Sequence, residues 1–431
     1  MKKSEYMEAL RERLQYYNRA LEMEILEDYE QHFAEGLAEG RSEEEIIAEL
    51  GNIEDMLQEF SQEDLKQELE IVESQANQNN SYQQLYRAVV IEGLLADVDV
   101  SASPDDQIRI AYDNNGSKAQ KLRYRFYQYE EDGVFYAGVK ERKEADFRRE
   151  VGSGIESLWE MVSMFTNFTS WSSMGSINLN VQIPAGIPVI RLRSTSGDLK
   201  VRGLETRELE TKCTSGDLQI QGVTCQKLSA GTQSGDQQVS GVSLAVHEET
   251  EIKLHSTSGD MEIQGISAAK IFLNTSSGDL SGNQLNTGEL KMHTSSGDVE
   301  LRDAESVRTV LRSGSGDICV RSLQGVELSV ETGSGDLELQ TDAESLEVKT
   351  GSGDVNLEAG SRAGQVHMIT GNGDIRLNLG RVEGAAIVAR TGYGDIRIRG
   401  QEASGRSHSV SYGSGVCKVS LVTGSGDIEV R

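Results

Sequence analysis

The sequence predicts a mainly β protein: a β-solenoid of about nineteen-residue Ser-Gly-Asp repeats, preceded by a small all-α N-terminal domain. Three observations predict it. A Gly-Asp pair recurs at near-constant spacing from Asp198 to Asp427. Apolar residues alternate on either side of each pair, and the first sixty residues instead step apolar positions by three and four.

Taken in chain order, the helical head comes first. Ser4 is placed to cap a helix carrying Tyr6, Leu10, Leu14 and Tyr17. A second helix carries Ile25, Tyr29, Phe33 and Leu37, with Gly40 as its stop. Ser42-Glu43-Glu44-Glu45 reads as a capping box before Ile46, Ile47 and Leu50, and Asn52 opens a fourth short helix through Met56, Leu57 and Phe60. Short connections predict antiparallel neighbours in a small bundle.

The run Glu24-Ile25-Leu26-Glu27-Asp28-Tyr29-Glu30-Gln31-His32-Phe33, followed by Gly36, Gly40 and Ser42 to Gly51, resembles the HAAS-type signalling domain of Gram-positive bacteria. The resemblance covers about residues 1–62. It implies a regulatory interaction module whose partner is a PadR-type transcription regulator, with Tyr29, His32 and Phe33 as candidate partner-binding residues. Many relatives continue into transmembrane helices, whereas no stretch here approaches eighteen apolar residues.

Charge is distributed unevenly. The chain carries −28 overall, and residues 1–80 hold 22 acidic against 7 basic side chains. Such a surface disfavours nucleic acid and anionic lipid, both of which need basic patches, and suits a basic protein surface. A charged helix follows Met1 directly in place of an apolar signal region, and the four cysteines show no paired spacing. Free thiols in a reducing cytoplasm are expected. Residues 73–85, rich in Gln, Asn and Ser, read as a linker.

The repeat decides the rest. Spacings between successive Gly-Asp aspartates are 19, 19, 24, 19, 19, 19, 19, 18, 20, 21 and 32. Counting from each Asp, apolar residues favour −8, −6, +1 and +3, as in Leu290, Met292, Val299 and Leu301 around Asp298. Position −4 is Ser or Thr in every copy except Cys213. Alternation predicts two short strands per repeat, and its change of parity across Gly-Asp predicts a corner there. Buried −4 hydroxyls are expected to form ladders up the inside. Residues 86–190 are expected to seal the front as an irregular cap, residues 191–431 to form the regular solenoid, and the last residues to end it as a hairpin. The lead-in Pro184-Ala185-Gly186-Ile187-Pro188 and the repeated Ser196-Gly197-Asp198-Leu199 pattern are similar to the bacterial adhesin-type β-strand-repeat domain of unassigned function. That resemblance covers residues 86–431 and implies an envelope or surface context.

Candidate chemistry is sparse. The aspartate row (Asp198, Asp217, Asp260, Asp279, Asp298, Asp317, Asp336) presents stacked carboxylates of the kind Ca²⁺ takes, but turn aspartates more often accept local backbone N–H bonds. Six histidines show no metal spacing, and His255 and His293 fall on the outward strand parity. The segment 155–168, with Trp159 and Phe165, has helical spacing suited to a cap over the solenoid mouth, or to a partner contact if exposed. No catalytic set or cofactor motif emerges. The expectation is a non-enzymatic cytoplasmic regulator or scaffold; a surface adhesin and a carbohydrate-active β-helix enzyme are the alternatives.

Overall fold

The computed structural model describes residues 3, 6, 7, 33, 41–43, 46, 86–142, 175–244, 250–403 and 405–431. The chain divides into two compact units, residues 1–83 with 143–152, and residues 84–142 with 153–431.

In the first unit Lys3, Tyr6, Met7, Phe33, Glu43 and Ile46 are helical. The Ile46 N–H donates to the Ser42 carbonyl at 3.1 Å, the first-turn bond expected behind a Ser42 cap. Tyr6 and Phe33 are buried with their rings edge to face, centroids 6.0 Å apart. Most of the expected four-helix head lies outside the described residues.

The second unit is mainly β and coils in parallel register. Met261–Ser277 pairs with Leu280–Ser296, that with Val299–Ser315, and that with Ile318–Ser334. Alternation explains the core. In the coil after Asp260, Met261, Ile263, Ile266, Ala268, Ile271, Leu273 and Thr275 are buried, and the residues between them face solvent. One continuous apolar cluster runs from Val89 to Val430.

The coils beginning at Met261, Leu280, Val299 and Ile318 each have three inward-facing runs, where two were expected. The third, at +6 and +8, lies between a left-handed corner residue and the next bend. Gly265, Gln284, Asp303 and Ser322 hold that corner with φ of 64°, 55°, 48° and 58°. A left-handed residue reverses the side-chain phase of the strand, so inward positions pass from +1 and +3 to +6. Two inward residues between corners are too few for a period to show. The 18-residue spacing is the loss of this corner: Val320 pairs Leu339, but Leu323 pairs Thr341, leaving Ser322 without a counterpart.

Both ends depart from the expected order. At the front, Ala88–Glu92 and Asp97–Ala102 form a regular coil sandwiched between two others. On one side lie Ile187–Ser194 and Leu199–Arg202, on the other Val134–Glu141 and Ile177–Ile183. Arg109–Asn114 and Tyr124–Glu131 close this end by antiparallel pairing. The second of these strands begins at Tyr124, directly after a helical turn over Lys118–Arg123 that Ser117 caps, its Oγ accepting the Gln120 N–H at 3.2 Å.

At the far end the expected terminal hairpin is absent. Cys417–Ser425 and Ile428–Val430 insert as a coil between Gln365–Asn378 and Ala385–Ile398, although they follow both in sequence. Ser407–Tyr412 then covers Ala385–Tyr393 by antiparallel pairing. Gly413-Ser414-Gly415 is the turn that returns the chain, with φ of 57° at Gly413 and 64° at Gly415.

Candidate functional site

The most regular surface feature is the Gly-Asp corner. Every corner aspartate except Asp395, where the ladder ends, offers Oδ1 to the backbone N–H of the aspartate one coil on, at 2.7–3.0 Å. The ladder runs through Asp198, Asp217, Asp236, Asp260, Asp279, Asp298, Asp317, Asp336, Asp354 and Asp374. It then passes to Asp427 before Asp395, which reports the inserted C-terminal coil independently of strand pairing. Sequence reading missed its first member: Asp97, preceded by Ala96, accepts from Asp198 at 3.0 Å. No Gly-Asp signal marks it.

The same corner explains the −4 position. Thr294, Ser313 and Thr332 are buried, and their hydroxyls donate to the carbonyls of Gly278, Gly297 and Gly316 at 3.0, 2.8 and 3.0 Å. Each reaches the corner glycine one coil back, so an inside ladder and an outside ladder clamp the same turn. Cys213 takes this place once, its Sγ donating to Gly197 at 3.4 Å. Burial raises the Cys213 thiol to about 11 and the Cys225 thiol to about 12, which keeps both protonated and unreactive near neutral pH.

Magnitudes decide what the carboxylates contribute. Neighbouring unit charges about 5 Å apart repel by about 1 kcal/mol in water-like surroundings, the same size as the net gain of one hydrogen bond. Asp298→Asn keeps the Oδ1 acceptor and removes the repulsion, whereas Asp298→Ala strands the Asp317 N–H. Thermal unfolding should therefore show Asp298→Ala less stable by about 1 kcal/mol and Asp298→Asn unchanged or more stable. Equal loss in both would show that the charge itself is needed, as a bound cation would require.

Beside the ladder runs a shallow groove lined by Asp298, Asp317, Asp336, Arg321, Glu338 and Arg376. Ion pairs cross it: Arg376 bonds Asp374 at 2.9 Å and Asp354 at 3.3 Å, and Arg321 lies 3.7 Å from Glu338. Among the described residues no group of three His, Cys, Asp or Glu side chains is placed to hold a metal ion. His255 and His293 are exposed, as their parity predicted. Phe33 is wholly buried, so any part it takes in partner binding is indirect. Tyr29, His32, Trp159 and Phe165 lie outside the described residues.

A second surface pattern escaped sequence reading. Glu208, Lys227, Glu251, Lys270, Glu289, Arg308 and Glu327 stand in register on successive coils. The alternation places opposite charges side by side for seven coils, and Arg308 and Glu327 approach to 3.6 Å. The signal lay at −9 in the seven consecutive copies from Asp217 to Asp336, but it becomes meaningful only once the coils are known to stack in parallel.

A parallel β-solenoid whose corners are clamped by aspartate and hydroxyl ladders defines the class of protein. The chain belongs to the Toastrack DUF4097 family, whose profile matches residues 86–271 and again 246–431. The two matches overlap at residues 246–271, where Glu251–Ser258 and Met261–Ser277 pair in parallel. The HAAS profile matches residues 5–59. A search of curated proteins finds no match. Among solved structures, a candidate cell adhesion protein of Clostridium sporogenes is similar at 10% identity, over 80% of this chain and 91% of that one, with a TM-score of 0.21. Among the described residues no helix is long and apolar enough to cross a membrane.

Proposed function

We propose that this is a non-enzymatic regulatory or scaffold protein of a Gram-positive bacterium, acting in the cytoplasm in envelope-stress signalling. The acidic helical head binds a partner regulator of the PadR type, and the solenoid offers a long, regular binding surface. The HAAS match carries this reading, because HAAS domains serve protein–protein interaction and the head holds 22 acidic against 7 basic residues over positions 1–80. Toastrack and HAAS are both non-catalytic domains, which supports a binding role. Charge complementarity of this kind weakens as salt rises.

The test uses the full-length chain as bait for a purified PadR-type regulator from the same cell. Retention at low salt, lost in a Glu27→Lys, Asp28→Lys variant, is the expected result. No retention under any salt condition would overturn the head's assignment. Recovery of the protein only from the cell wall would instead favour the surface-adhesin reading.

A further inference from the structure

Among the described residues, the strand that closes the far end, Ser407–Tyr412, leaves one edge open. Thr391 donates to the Arg406 carbonyl at 3.0 Å, and the antiparallel register pairs Ala389 with His408 and Ile387 with Val410. Bonded pairs alternate along an antiparallel ladder, so His408, Val410 and Tyr412 turn their backbone groups toward Ala385–Tyr393. Ser407, Ser409 and Ser411 turn theirs away. All three serines are exposed, and no hydrogen bond to these outward groups is present among the described residues.

Open edges are usually guarded by charge or proline. The front edge strands follow that rule: Arg109 and Asp113 lie on one, Arg125, Glu130 and Glu131 on the other. Ser407–Tyr412 contains no Lys, Arg, Asp or Glu, and no proline. Exposed apolar side chains gather at the same end, with Val388 at 38%, Tyr393 at 73% and Val416 at 71%. Val388 stands directly opposite Ser409. The strong negative charge of the chain does not extend to this end. The chain carries −28, yet residues 376–431 hold eight arginines and lysines against five acids.

We propose that Ser407–Tyr412 is a homodimer interface, pairing antiparallel with the same strand of a second copy about a twofold axis at Ser409. The outward residues are symmetric about that position. Ser409 meets its own mate and Ser407 meets Ser411, each pair exchanging both backbone bonds. The two Val388 side chains flank the seam. A single strand buries less than the roughly 1,200–2,000 Å² of stable complexes, so the dimer is weak and concentration-dependent.

Sedimentation of the full-length protein, followed to on the order of 100 µM, tests this. The weight-average mass should rise from the 47.1 kDa monomer toward twice that value. Ser409→Pro removes an outward N–H and no inward one, and Ser409→Lys sets two ammonium groups against each other. Each should weaken association about tenfold or more. Ser409→Lys keeps every backbone donor and should leave circular dichroism unchanged, which guards against a folding defect in the proline variant. Ala111→Lys, on the front edge strand, should leave the dimer intact. A monomer at every concentration would overturn the proposal, as would a dimer that survives Ser409→Lys in a folded protein.

Discussion

Removing residues 417–431 should unravel the last three coils of the solenoid. This segment buries Val419, Leu421, Ile428 and Val430 to 3% exposure or less, together with Cys417 and Thr423. At about 1.5–3 kcal/mol per buried aliphatic side chain, the loss is on the order of 10 kcal/mol, enough to exceed a single coil's local stability. More important is the position of the gap. Gln365–Asn372 and Ala385–Tyr393 both pair with the deleted strand, so each loses a neighbour at once. Hydrogen exchange should show protection lost across residues 365–398 and retained across 261–334, because coils interact chiefly with adjacent coils. A frayed terminal hairpin would leave residues 365–398 protected, and that result would show the insertion to be dispensable.

Gly297→Ala should be among the most damaging single-methyl changes in the chain. A Cβ there would lie 2.1 Å from the Gly278 carbonyl oxygen, with φ at +154°. The obstacle is backbone, fixed by the ladders on both sides, and cannot rotate away. A loss of roughly 3–5 kcal/mol is expected in chemical denaturation, within the range of strained special-backbone sites. Gly265→Ala is the matched control. It also has positive φ, +64°, but its nearest neighbour is Gly241 N at 4.0 Å. Gln284, Asp303 and Ser322 occupy the same corner with full side chains. Its expected loss is the left-handed penalty alone, about 1–2 kcal/mol. If the two variants lose stability equally, close approach is not what the Gly-Asp corner requires.

These two glycines show which parts of the fold were legible. The Gly-Asp glycine repeats in sequence because every coil packs its corner onto the last, and only glycine fits. The second corner needs positive φ but has room, so Gly, Gln, Asp and Ser alternate there and the repeat looks unmarked. The apolar +6 column shares that fate, although Leu204, Val223, Val242, Ile266, Leu285, Ala304 and Leu323 were there to be aligned. The −4 hydroxyls and the outward histidines followed from parity alone. The aspartates were read either as cation ligands or as acceptors for N–H groups of their own corner; the acceptor chemistry was legible, but the donor is the aspartate N–H one coil on, which only stacking reveals.

Local chemistry repeated at a fixed interval was enough to determine the solenoid, its Gly-Asp corner and its buried hydroxyl row. Each depends on contacts between a residue and its equivalent one period away, so the sequence carries them many times over. The order of coils at the two ends depends on contacts made once, between segments far apart in the chain. Ala88–Glu92 pairs with Ile187–Ser194, and Cys417–Ser425 enters between two earlier coils. A strand with the right alternation fits any open edge of the stack equally well. Which edge it takes is decided by loop reach and by the closing antiparallel strands, and only the assembled structure contains that information.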